Sequence, residues 1–275
     1  MMSRCSATRV NMRRFRLIFL MILTLLPTAV SMAQGGVSFR VIKGIGEFSR
    51  ITVAPNINVT LVMADEVHLL PKDVARRILP PKSSKATVAR VCVVRGEPTV
   101  CKAVDCVAEG GSLTVSANKF KFRRSRRIDV FVVCDTALTQ IRGATGGNIT
   151  TRGCLRLSDV LIRADDAQQI SISARAASVS IVASTRSSVR LSGSARSIDA
   201  SLTSASSLDA SAMTCQQLNI SATDESRATA TANTSATITA KNKSTVTIRT
   251  SAGARVTVDK ETGCFVNEEQ TAVMQ

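Results

Sequence analysis

From residue 170 to residue 258, apolar side chains fall at alternate positions in short groups. These are Ile170/Ile172, Val179/Ile181, Val189/Leu191, Ile198/Ala200/Leu202, Leu208/Ala210, Leu218/Ile220, Ala228/Ala230/Ala232, Ala236/Ile238/Ala240, Val246/Ile248 and Val256/Val258. Successive groups begin 8 to 10 residues apart, and Ser171, Arg190, Asp199, Asp209, Asn219 and Thr247 stand among the polar residues between them. Alternation inside a group is the period of a half-buried strand. The second period, near 10, has no reason to exist in a serine-rich linker but is required of a repeat. Ten residues are too few to close a coil, so two strand-plus-turn units, about 18–20 residues, form the smallest rung. Stacked rungs place parallel strands about 4.8 Å apart. Apolar groups then turn inward, Ser and Thr outward, and Ser, Gly, Asn and Asp occupy the corners.

The interior of such a coil is narrow. Alanine fills many inward positions in the later rungs, and Phe131 and Phe265 bracket a repeat that contains no aromatic residue. Two to four aliphatic groups per rung contribute only a few kcal/mol, so stability has to accumulate over many rungs. An internal ligand cavity has no room, which leaves the outer faces and the ends for binding.

Before residue 138 the texture differs. "GEFSRITVAP" and "NINVTLVMADEVHLL" alternate as two strands joined at Pro55-Asn56, and further strands are expected at Thr87–Arg95, Ser112–Ala117 and Ile128–Cys134. "DVARRILPPKSSKA" holds a short helical turn followed by a loop at Pro80-Pro81. His68 falls in an apolar strand context and reads as structural.

Composition adds location. The first 33 residues carry Arg4, Arg9, Arg13, Arg14 and Arg16 and no acid, then an apolar run from Leu17 to Leu26, then Ser31-Met32-Ala33. This is the order of a secretory signal peptide with cleavage after Ala33, and the run is shorter than the roughly 20 residues a membrane span needs. Met12 begins an ordinary leader by itself, so the start lies at Met1 or Met12. The expected destination is the periplasm or the cell surface, with no membrane span in the mature chain. Losing those five arginines takes the net charge from +16 to +11, still a balance that favours anionic partners. Seven cysteines remain: Cys92, Cys101, Cys106, Cys134, Cys154, Cys215 and Cys264. An odd number leaves at least one free or paired between chains. Cys92, Cys101 and Cys106 are close enough in sequence for a local staple. A metal site is disfavoured because there is no CxxC pair and His68 lacks a ligand partner at a suitable spacing.

"GEFSRITVAPNINVTLV", "GGSLTVSAN" followed by "RRIDVFVVCDTALTQIRGATGGNI", and the repeats "SIDASLTSASSLDASA" and "LNISATDESRATATA" resemble the putative auto-transporter adhesin, head GIN domain family. That family is an exported group common in Bacteroidetes. The similarity spans about residues 45–258. It implies a parallel β-helix fold and an adhesion or cell-surface role, and it supplies no catalytic residues or cofactors. The cysteine-bearing segment Pro80–Glu109 departs from the family pattern, as does the replacement of most rung glycines by Ala, Ser or Asp.

The resulting expectation is an all-β chain, a parallel β-helix (β-solenoid) with an N-terminal β cap region. Its parts are a signal peptide at 1–33, the cap at 34–137, solenoid repeats at 138–259, and a C-terminal tail or cap at 260–275. The expected role is adhesin-like or envelope-associated binding without catalysis, with carbohydrate, a surface protein or an anionic polymer as partner. The densest charge cluster is "KFKFRRSRR", where Lys119, Lys121, Arg123, Arg124, Arg126 and Arg127 surround two phenylalanines. It is either an anion-binding patch or a solvated connection between strands. The rival reading of a polysaccharide-active β-helix enzyme needs Asp165, Asp166, Asp199 or Asp209 to converge with arginines in one groove. In a two-unit rung Asp199 and Asp209 face different sides, with Asn219 stacked near Asp199. Outward serines and threonines with Arg175, Arg186, Arg190 and Arg196 offer a polar face suited to carbohydrate or protein.

Overall fold

The computed structural model describes residues 31–34, 37–79, 90–117 and 128–271. The repeat expected from the alternating pattern is present as two stacked ladders of parallel strands joined by corners. The strands β12 (Asp159–Ala164), β13 (Gln169–Ala183), β14 (Ser188–Leu202), β15 (Ser207–Ala222), β16 (Arg227–Ala240), β17 (Thr245–Ser251), β18 (Arg255–Lys260) and β19 (Phe265–Thr271) build its later part. Each of β13 to β16 bends midway, giving its first half to one ladder and its second half to the other. Register pairs Gln169 with Ser188, Ser188 with Ser207, Ser207 with Arg227, Arg227 with Thr245 and Thr245 with Phe265. One rung therefore takes 19, 19, 20, 18 or 20 residues, the length the sequence period implies. Every inward residue from Ile170 to Ile248 in the pattern is buried, while Val256 is half-buried and Val258 is exposed in the last rung.

The two corners of a rung differ. The corner leading into the first ladder is four residues long, and in the five corners between β12 and β17 its two middle residues have positive φ. These are Asp166/Ala167, Thr185/Arg186, Ser204/Ala205, Asp224/Glu225 and Asn242/Lys243. A left-handed backbone costs a non-glycine residue about 1–2 kcal/mol, so the position after each pair has to help hold the turn. It is buried Gln168 after the first pair and buried Ser187, Ser206, Ser226 or Ser244 after the other four. The Ser187, Ser226 and Ser244 hydroxyls donate to the carbonyls of Ser184, Thr223 and Lys241 at 2.5–2.6 Å, and that of Ser206 donates to Ala183 at 3.0 Å. The other corner absorbs length variation. Register slips there around Ser211–Met213, which is why the 228-to-236 interval is short. At that corner Gly193 has φ 111°, and a Cβ on it would lie 2.1 Å from the Ala174 carbonyl oxygen.

The ladders continue into the N-terminal residues. β3 (Arg50–Val53) pairs with both β7 (Ser112–Ala117) and β9 (Gln140–Gly143). β4 (Asn58–Met63) pairs with both β8 (Asp129–Cys134) and β10 (Asn148–Arg152). The rung made first in the chain is thus second in space, inserted between rungs made later. A simple repeat read along the sequence does not reveal that order. Beyond β7 and β8 the pairing becomes antiparallel: β6 (Val104–Glu109) lies on β7, β5 (Cys92–Gly96) on β8, β2 (Val37–Ile42) on β5 and β1 (Ser31–Gln34) on β2. Helix α2 (Pro98–Ala103) closes the core there through buried Val100 and Cys101. A short β11 (Leu155–Arg156) joins the variable corner.

Two local expectations change. The strand expected through "HLL" stops at Met63, after which Ala64-Asp65 turns the chain. His68 lies exposed in a 3-10 turn, Val67–Leu69, and not in a strand. The strand expected over Thr87–Arg95 is seen as Cys92–Gly96, its first residues lying outside the described part. The helical turn expected in "DVARRILPP" is α1 (Lys72–Ile78). Among the described residues no helix is long and apolar enough to cross a membrane.

Candidate functional site

The outside of the first ladder carries two kinds of surface. Near the capped end, three outward positions of β4 and β8 are apolar: Val62, Phe131 and Val133 pack with Val67, Leu70, Val74 and Ile78 of the segment containing α1. That segment forms a lobe on the ladder, tied down by Arg156, which pairs with Asp65 and Glu66, and by Glu66, which accepts the Cys154 amide at 3.0 Å. Strands covered on both sides lose alternation, and "NVTLVM" and "DVFVVC" show it. Further along, the equivalent outward positions become polar. Phe131 is in register with Thr60, then Thr150, Ser171, Arg190 and Asp209.

Where the lobe stops, a groove of about 600 Å³ opens. Pro71, Arg95, Asp129 and Phe131 form the wall on the lobe side. Thr60, Thr150, Thr151, Ser171, Ser173 and Ser192 form a hydroxyl-lined floor, and Arg152 stands at the margin. The hydroxyls are partly ordered among themselves: Thr60 and Thr150 lie 3.4 Å apart, and Thr151 accepts the Ser173 amide at 2.9 Å. Asn58 donates to Asp129 at 3.3 Å, and Arg95 lies 3.9 Å from Asp73. Arg152 is exposed and has no carboxylate partner among the described residues. A smaller depression of about 250 Å³ adjoins it, lined by Asn148, Gln169, Arg190 and Asp209 among others. There Arg190 donates to Asp209 at 3.1 Å. The Ser211 hydroxyl and amide, with Arg190, hold the Asp209 carboxyl below its ordinary value. Such a surface can offer many hydrogen bonds and a cationic group to a flexible polar chain.

The residues singled out in sequence scatter. Lys119, Lys121, Arg123, Arg124, Arg126 and Arg127 lie outside the described residues; the strand that follows them carries Asp129 and Phe131 of the groove wall. Arg190 is on the first ladder and Arg186 at the uniform corner, whereas Arg175 and Arg196 belong to the variable corner. Asp199 is on the second ladder between Ser180 and Asn219, and Asp209 on the first, as expected for a two-unit rung. Asp165 is engaged by Arg142 at 3.7 Å, Arg163 at 3.1 Å and the Ser184 hydroxyl at 3.0 Å. Among the described residues no group of histidine, cysteine and acidic side chains is arranged to hold a metal ion. Among the described residues the cysteines are buried thiols apart from half-buried Cys154. Sequence reasoning missed the groove. Its signal was the apolar Val62 and Val133 at positions that should have been polar.

A family model described as "Putative auto-transporter adhesin, head GIN domain" matches residues 85–252. Solved structures share the fold. A putative adhesin from Bacteroides fragilis superposes with TM-score 0.67 at 13% identity, covering 86% of this chain and 98% of its own. A putative lipid binding protein from Parabacteroides distasonis gives 0.54 at 11%, and a putative adhesin from Parabacteroides merdae 0.51 at 14%, each with the same coverage. No curated protein matches the chain.

Proposed function

The chain belongs to the putative auto-transporter adhesin, head GIN domain family, and from that membership we propose that it is an exported, envelope-associated glycan-binding protein without catalytic activity. Export rests on the leader read from residues 1–33, with release after Ala33 into the periplasm or onto the cell surface; that cut takes all of β1 but Gln34 away with the leader, so the mature cap begins at β2. The observation that carries the reading is the groove beside the lobe, with its floor of serine and threonine hydroxyls and Arg95 and Arg152 at its sides. Such a floor matches the hydroxyl-rich edge of a sugar chain. It suits an acyl chain poorly, so the lipid-binding name of one structural neighbour gives no better ligand. The basic segment ending at Arg127 runs into the strand that carries Asp129 and Phe131, which favours glycans bearing carboxylate or sulfate groups.

The test is a glycan array with the purified mature chain, followed by titration of the best hit. Losing a hydrogen bond to a charged group costs about 1.5–3 kcal/mol, so Arg152→Ala should weaken the hit roughly tenfold or more. Asp199→Asn on the opposite ladder should leave it unchanged. An array without hits removes the glycan reading. A hit weakened only by replacing Arg123, Arg124, Arg126 and Arg127 with Ser moves the site to the basic segment.

A further inference from the structure

The groove beside the lobe and the smaller depression next to it share Thr150 and Ser171, so they form one trough. Its floor follows a single register column, Phe131, Thr60, Thr150, Ser171, Arg190 and Asp209, which crosses the strands and runs along the axis of the coil. These residues lie on successive rungs, so the floor is five steps of about 4.8 Å, or about 24 Å, long. Arg152, Ser173 and Ser192 flank it on one side, and Asn148, Gln169 and Ser188 on the other. The two ends of the trough differ. At the lobe, Val62 and Val133 are fully buried and Phe131 nearly so, which leaves no open surface beyond them. Asp73 of α1 reaches to within 3.9 Å of Arg95, which stands opposite Asp129 on the flanking column. At the far end the columns continue in Ser207, Arg227 and Thr229, all partly or fully exposed. The trough is therefore blind at the lobe and open toward β15.

We propose that a linear acidic glycan lies along the axis of the coil with one chain end against the lobe, one extended sugar unit facing each rung, and the rest of the chain leaving over β15. This rests on the glycan reading of the groove and adds to it a direction and an end. One pyranose unit of an extended chain advances by close to the rung spacing, so its hydroxyls recur in step with Thr60, Thr150 and Ser171. A chain laid along a strand instead meets only three outward residues before a corner, such as Asn148, Thr150 and Arg152. Arg152 is two rungs from Phe131 and takes an acidic group of the units next to the chain end. Arg190, which donates to Asp209 at 3.1 Å, meets the units beyond.

The purified mature chain is titrated with the best-binding acidic polysaccharide and with a length series of oligosaccharides cut from it, from the disaccharide upward. Each added unit should strengthen binding about threefold, the contribution of one ordinary hydrogen bond. The gain should stop at about six units, when the trough from Phe131 to Asp209 is full. The whole polymer should bind one protein molecule per chain whatever its length, because only its end fits. Arg152→Ala should weaken every length by the same factor, whereas Arg190→Ala should cut the gain of the longer oligosaccharides about tenfold. Protein molecules bound along the polymer in proportion to its length overturn the chain-end reading. An affinity that stays constant beyond the disaccharide, or the same dependence on length in both variants, overturns the axial course. No binding at any length overturns the glycan reading itself, and this inference with it.

Discussion

At the end of the ladders built by residues 37–117, antiparallel β5 and β6 lie over β8 and β7, and α2 plugs the core with Val100 and Cys101. At the other end, β18 and β19 have no strand beyond them among the described residues. An open ladder presents unpaired backbone groups that recruit further strands, and here the defence is in the side chains. The inward column Ala222–Ala240 ends in Lys260, and the inward column Ala230–Ile248 ends in Glu268. Glu268 accepts the Thr250 hydroxyl at 3.1 Å. An inward charge makes a further apolar rung unfavourable because it would have to be buried. One end is closed by added structure and the other by two charged side chains, Lys260 and Glu268. The interior changes along the same axis, from Leu113, Ile51 and Ile141 stacked at the capped end to Ala210, Ala230 and Ala232 further on.

The largest difference between the two regions should appear when each loses one large aliphatic group. Leu61 is fully buried on β4, which is paired on both sides by strands distant in sequence. Leu61→Ala should cost about 2–5 kcal/mol and lower protection from hydrogen exchange across β3, β4, β7 and β8 together. Ile238→Ala removes a comparable group from a rung that touches only its neighbours, so the loss should stay local. Exchange should accelerate in β16 to β19 while β3 and β4 keep their native protection. Equal loss of protection everywhere in the Ile238 variant would mean that the ladders unfold as one unit.

That contrast also separates what could be read in the sequence from what could not. Where each rung contacts only the next, a period in sequence is a period in space. The inward residues, the 18–20 residue rung and the opposite placement of Asp199 and Asp209 were therefore all legible. At the capped end, neighbours are distant in the chain. Nothing in "RITVAPNINVTLV" says that β7 and β9 will flank it, because pairing there depends on a crossover that local pattern does not encode. The groove was half-visible. Its hydroxyl floor belongs to the alternating pattern, but its wall depends on the lobe around α1, whose docking surface is signalled only by Val62 and Val133 breaking alternation. His68 was misplaced for a related reason: an apolar run was read as one strand although Ala64-Asp65 turns it.

A second prediction removes the charge defence. In Lys260→Val/Glu268→Val the last rung becomes apolar inside, next to half-buried Val256 and Val266 and exposed Val258. The variant should associate through its open end at micromolar concentrations, visible as a larger mass in light scattering, while the native chain stays at its own mass. If the native chain associates to the same extent, the inward charges are not what closes this end.

The smallest effect concerns one of the ion pairs that link neighbouring rungs across the outer face of the first ladder, Arg190 with Asp209; Arg249 with Glu269 is another. The Ser211 hydroxyl donates to Asp209 at 2.6 Å, and this bond, with the Ser211 amide and Arg190, lowers the carboxyl from its ordinary 3.8. A carboxyl depressed in the folded chain contributes stability that is present above its unfolded value and lost as the pH falls through its folded value. The Asp209 side chain is 41% exposed, so solvent screening keeps the contribution to no more than about 1 kcal/mol. Asp209→Asn should therefore be slightly less stable than the native chain at pH 7. The two should converge below the ordinary carboxylate range, and added salt should narrow the gap at neutral pH. A gap that persists at low pH would assign the effect to packing. In that case the uniform corner and the apolar columns, with no help from charge, set the spacing of these rungs.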